Sequence, residues 1–85
     1  YAEIRNDLGV ALLRTGDRAG AEAQFQQAAE GRRDFVEPLL NLAALAIERG
    51  DRAEAARRID EALERNPGSA RALAMRSGLA SGGIR

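Results

Sequence analysis

The chain has 85 residues, 45% hydrophobic and 31% charged, and its thirteen basic and thirteen acidic side chains cancel to a formal net charge of zero. That length suits one small domain, and the charge balance argues against nucleic acid as a partner, because polyanion binding leaves a basic excess. With neither Cys nor His present, disulfides, thiolate or imidazole catalysis and ordinary zinc or iron sites are excluded.

All thirteen cations are Arg and eighteen residues are Ala, which reads as the codon bias of a GC-rich genome. Only Arg32-Arg33 and Arg57-Arg58 are adjacent, and solvent-facing surface is expected for both pairs. No apolar run approaches the roughly 18 residues of a membrane span, so membrane insertion is not expected. The chain opens on Tyr1 without a signal peptide, which says little about location. The expectation is a soluble protein of bacterial cytoplasm or periplasm.

A first helix is predicted near 2–15, where Ile4, Leu8, Ala11 and Leu12 form one apolar stripe at helical spacing. Gly16 stops it by supplying the positive φ of a C-terminal cap, and Asp17 is placed to open the next helix by accepting backbone N–H bonds. That second helix, near 18–31, carries Ala21, Phe25 and Ala28 on one face and ends near Gly31. A third, near 36–49, holds Pro38 in its first turn, where proline is tolerated, and Leu39, Leu42, Ala43 and Ala46 as its stripe. Gly50-Asp51 repeats the turn, with Asp51 and Glu54 spaced as an acidic capping box. The fourth helix, near 52–65, carries Ala55, Ile59 and Ala62 and ends at Asn66-Pro67-Gly68. A fifth is predicted near 70–80, weakened by Gly78, and Ser81-Gly82-Gly83 reads as a frayed tail.

These elements repeat. Displaced by 34 residues, the chain matches itself at nine of the 34 pairs from Ala2 to Ser69. Gly16-Asp17-Arg18-Ala19 falls on Gly50-Asp51-Arg52-Ala53, Leu8 on Leu42, Ala21 on Ala55 and Ala28 on Ala62. Such a period marks helical hairpins that cannot bury both faces alone and stack on their neighbours. The small residues at 21, 28, 55 and 62 let adjoining helices approach closely.

Period and residues together resemble the tetratricopeptide repeat, with its W-x2-L-G-x2-Y, A-x3-F and P pattern. Leu8, Gly9, Ala21, Phe25 and Ala28 match in the first unit, and Leu42, Ala55, Ala62 and Pro67 in the second, with Ile59 in the Phe slot. Arg5, Leu12, Arg33, Leu39, Ala43 and Ala46 depart from it. The resemblance implies an all-α array of helical hairpins forming a single domain over 1–85. Repeat one takes 2–35, repeat two 36–69, a capping or truncated third-repeat helix 70–80, and a flexible tail 81–85.

Catalysis has little foothold. Tyr1, Thr15, Ser69, Ser77 and Ser81 are the only hydroxyls, with no His or Lys to activate them. The pairs Glu3/Asp7 and Asp60/Glu64 share helix faces, and a solvated surface is the reading for both. No enzyme activity, cofactor or metal is expected.

What remains is a surface. In the resembled family the first helix of each repeat lines a concave groove that holds a peptide. Carried over by position, that groove takes Glu3, Asn6, Asp7, Val10 and Leu13 from repeat one, and Glu37, Leu40, Asn41, Ala44 and Ile47 from repeat two. Arg71 and Met75 come from the last helix. Asn41 and Arg71 match the subgroup that clamps a terminal carboxylate, but Asn6, Val10 and Met75 do not, so no such clamp is expected. The expectation is a scaffold that binds a partner's segment through an apolar strip of Val10, Leu13, Leu40, Ile47 and Met75, rimmed by Glu3, Asp7 and Glu37. The ligand would carry apolar anchors and Arg or Lys. The alternative is a structural or self-associating segment of a larger helical-repeat protein, with no separate ligand.

Overall fold

Two turns of the same construction set the architecture. Gly16 and Gly50 take φ of 89° and 82°, a region that L side chains rarely adopt. That geometry lets the Gly16 N–H donate to the Leu13 carbonyl at 3.0 Å and the Asp17 N–H to that of Leu12 at 2.9 Å. The second turn repeats both bonds, Gly50 to Ile47 at 3.0 Å and Asp51 to Ala46 at 2.8 Å. Each helix end is thereby closed. The carboxylates of Asp17 and Asp51 then accept from the Gly20 and Glu54 N–H groups at 2.8 and 3.0 Å, opening the next helices. The reciprocal half of the expected capping box is not made. The Asp51 N–H is already spent on Ala46, and Glu54 pairs instead with Arg57 and with Arg58 at 2.7 Å.

The computed structural model describes residues 1–82. Among them lie five helices and no strand: α1 (Ala2–Arg14), α2 (Arg18–Gly31), α3 (Glu37–Glu48), α4 (Arg52–Arg65) and α5 (Ala70–Gly82). α1 packs on α2 and α3 on α4 as two hairpins, while α3 lies on α2 and α5 on α4. The result is a slab of 36 × 28 × 16 Å, so thin that every helix lies near a surface.

The core forms both within and between the hairpins. Ala21 and Phe25 of α2 bury with Leu42 and Leu45 of α3, and Val10, Leu12 and Leu13 of α1 close that cluster from the side. A second cluster joins Leu39, Leu40, Ala43 and Ala46 of α3 to Ala55, Ile59 and Ala62 of α4 and Ala72 of α5. Phe25 and Ile59, expected in the core, are fully or almost fully buried. Each such side chain contributes about 1.5–3 kcal/mol by leaving water.

The stripe read from α1 differs in its fate. Ile4 and Leu8 are 66% and 45% exposed, Ala11 is exposed, and only Leu12 of the four is half-buried. The residues that seat α1 on the structure are Ala2 and Gly9, both buried, with Val10, Leu12 and Leu13 half-buried beside them. Among the described residues, no helix covers the Ile4–Leu8 side of α1.

α5 starts on Ser69, whose hydroxyl accepts the Ala72 N–H at 3.2 Å. It runs to Gly82, so Ser81 and Gly82 are helical where a frayed tail was expected. The rest of the expected tail, 83–85, lies outside the described residues.

Candidate interaction site

The first helices of successive hairpins are laced together by one line of polar side chains. Asn41 Nδ2 donates to Asn6 Oδ1 at 2.9 Å, joining α3 to α1. Arg71 Nη2 donates to Asn41 Oδ1 at 3.1 Å, and Arg71 Nη1 reaches the Glu37 carboxylate, joining α5 to α3. Both ends of the Asn41 amide are therefore engaged within the chain, which fixes its orientation. Arg71 is neutralised by Glu37 instead of waiting for an acidic ligand.

The expected groove residues fall into three groups around this line. Asn6, Glu37, Asn41 and Arg71 make the line itself. Glu3 and Asp7 are exposed on α1, where Glu3 pairs with Arg32 at 3.3 Å, so the expected acidic rim is partly neutralised. Val10, Leu13, Ala44 and Met75 are half-buried, and Ile47 is 41% exposed. On α3, Glu37, Asn41 and Ala44 share a ridge at helical spacing, as do Glu3, Asp7 and Val10 on α1.

Leu40 does not belong to the groove. It is fully buried in the second core cluster with Ala72, and Met75 packs against the same cluster. α5 covers it. The continuous apolar strip expected from Val10 through Met75 is thus interrupted at its centre, and the polar line runs between its two ends.

A separate open depression of about 380 Å³ is lined by Arg33, Asp34, Glu61, Glu64 and Arg65. Arg65 is held there for structural reasons. Its Nη1 donates to the Ala29 carbonyl and its Nη2 to Glu61, both at 2.7 Å, tying α4 back to α2. The two carboxylate pairs weighed in the sequence, Glu3/Asp7 and Asp60/Glu64, are exposed at all four positions. Among the described residues no cluster of three or more acidic side chains is placed to hold a metal ion. Among the same residues no helix is long and apolar enough to cross a membrane.

Sequence reading missed two features. One is the polar lacing, whose signal was weak because Asn6 and Asn41 are 35 residues apart and not 34. The other is the uncovered side of α1, which the period itself could have revealed.

Comparison with known proteins agrees with this architecture. The tetratricopeptide repeat family model matches residues 12–79. A TPR repeat-containing protein of Pseudomonas aeruginosa is 46% identical over 59 residues, which cover 69% of this chain and 24% of that relative. The chain therefore spans about a quarter of the length of the relative it matches.

Proposed function

The chain belongs to the tetratricopeptide repeat family, a family of protein-interaction repeats, and from that premise we propose that it binds a segment of a partner protein across α1, α3 and α5 and carries no enzymatic activity of its own. The observation that carries the reading is the half-exposed apolar set Val10, Ala44, Ile47 and Met75 beside a polar line that is already internally bonded. A ligand on this face meets apolar side chains to cover and an engaged amide, so shape and burial carry the affinity.

Charge shapes the preference. Glu37 is matched by Arg71, and Glu3 by Arg32, while Asp7 stands exposed at the α1 side of the groove. The favoured segment has two or three apolar anchors with an Arg or Lys near Asp7. A free acidic C-terminus fits poorly, since Arg71 is already paired with Glu37.

Selection from a random-peptide phage library on the 85-residue chain tests this. Enriched peptides should combine apolar residues with Arg or Lys and should lose binding to an Ile47→Glu, Ala44→Glu variant. Peptides that bind this variant and the native chain alike would place binding elsewhere.

A further inference from the structure

The three helices of the groove share one slot at the repeat spacing, filled by Glu3 in α1, Glu37 in α3 and Arg71 in α5. The slot lies in the first turn of each helix, at the positive end of its dipole, where a carboxylate is favourable and a cation is not. α1 and α3 follow that rule, each with its Glu in the first turn. α5 breaks it, with no acid in its first turn and Arg71 as its second residue. Glu37 compensates. Arg71 Nη1 reaches its carboxylate, and Arg71 Nη2 donates to Asn41 Oδ1 at 3.1 Å, so the guanidinium is held against α3. Both partners of this ion pair stay 43% exposed, so it adds little to the docking of α5, which Ala72 seats by burial.

What the pair does change is the charge along the groove. At the α1 end Asp7 is exposed and among the described residues pairs with no cation. Glu3 shares Arg32 with Asp34, and Arg5 of the same helix is drawn to α2, where it donates to Gln27 Oε1. At the α5 end Glu37 is occupied by Arg71, and α5 itself carries two Arg and no acidic residue. A segment laid across α1, α3 and α5 therefore meets a free carboxylate at one end and a cationic helix at the other.

We infer that Arg71 sets the direction in which the bound segment lies. By capping Glu37 and repelling a ligand cation from α5, it places the segment's Arg or Lys over α1, beside Asp7. An uncharged apolar residue then lies over α5, beside the half-buried Met75 one turn after Arg71. This assignment rests on the groove reading given above. Asp7 attracts the segment laid one way and Arg71 rejects it laid the other, the two halves of a specificity device. Charge, and not the sense of the peptide backbone, decides the direction.

The test uses two short peptides with blocked ends, one a single Arg followed by alternating Leu and Ser, the other the same sequence reversed. Each carries a nitroxide label beside its Arg, and line broadening of the chain's amides is read by NMR. On the native chain both peptides should broaden α1 and spare α5. Arg71→Lys keeps the charge and should give the same pattern, which a merely structural role for Arg71 does not require. Arg71→Met frees Glu37 and should let the label broaden α1 and α5 alike. A second Arg at the far end of either peptide should leave binding to the native chain no tighter, and should tighten binding to Arg71→Met roughly threefold, as one exposed ion pair allows. Broadening of α5 in the native chain, or one pattern shared by native and Arg71→Met, would overturn the inference and leave the groove reading standing. If neither peptide binds, or the broadening falls outside α1, α3 and α5, the groove reading itself fails and takes the inference with it.

Discussion

Gly9 of α1 lies against the ring of Phe25 of α2, so close that a Cβ on Gly9 would stand 2.5 Å from Phe25 Cε1 and 2.8 Å from Cδ1. Phe25 is fully buried and has no space into which to retreat. Gly9→Ala should therefore destabilise by about 1–3 kcal/mol, the usual cost of overpacking. Gly78, inside α5 with nothing within 4 Å of its would-be Cβ, gives the opposite case. Gly78→Ala should stabilise by up to about 1 kcal/mol through helix propensity and unfolded-state entropy. Urea denaturation midpoints of the two variants should lie on either side of the native value.

The two central large side chains should behave as core. Phe25→Ala and Ile59→Ala should each cost about 2–5 kcal/mol, since both are at most 1% exposed. Arg57→Ala should stay within about 0.5 kcal/mol, as at ordinary surface sites, its side chain being 76% exposed. Equal midpoints for the three variants would contradict the burial seen here.

Leu40 and Ile47 stand on one ridge of α3, two turns apart, and should respond oppositely to the same change. Leu40→Glu puts a charge into a fully buried site under α5 and should unfold the chain or cost about 3 kcal/mol or more. Ile47→Glu, at a site 41% exposed, should leave the circular dichroism spectrum and the melting temperature nearly unchanged. A stable, fully helical Leu40→Glu protein would return Leu40 to the groove.

The lacing of α1, α3 and α5 should be measurable at its middle. Asn41→Ala removes the partner of both Asn6 and Arg71 and should cost about 1 kcal/mol, with faster amide exchange in α5 as the accompanying sign. Arg71→Ala should cost no more than about 1 kcal/mol, because Arg71 and Glu37 are both 43% exposed and solvent screens their pair. Unchanged α5 exchange in Asn41→Ala would mean that the network does not hold the helix.

Much of the architecture was open to reading because its causes are local. A glycine at positive φ followed by a capping Asp needs only its own neighbours, so Gly16-Asp17 and Gly50-Asp51 declare the turns wherever they occur. The alternation of small and bulky residues in α2 and α4 likewise names the faces that must be buried. The candidate site was less legible, since a groove position is defined by what does not cover it. Leu40 was assigned to the groove by its position in the resembled repeat, and only the seating of α5 shows that it is closed off.

Leu8 and Leu42 make the division clear. They are the same residue in the same slot of the same repeat, and by sequence alone they are equivalent. The period, the turns and the identity of the apolar faces follow from the chain itself, because helix spacing and capping act within a few residues. Which of those faces is buried is decided by a neighbouring helix. α2 covers Leu42 down to 7% exposure, while nothing among the described residues covers Leu8, which remains 45% exposed. Burial is a property of pairs of elements, and only the folded arrangement supplies the second member.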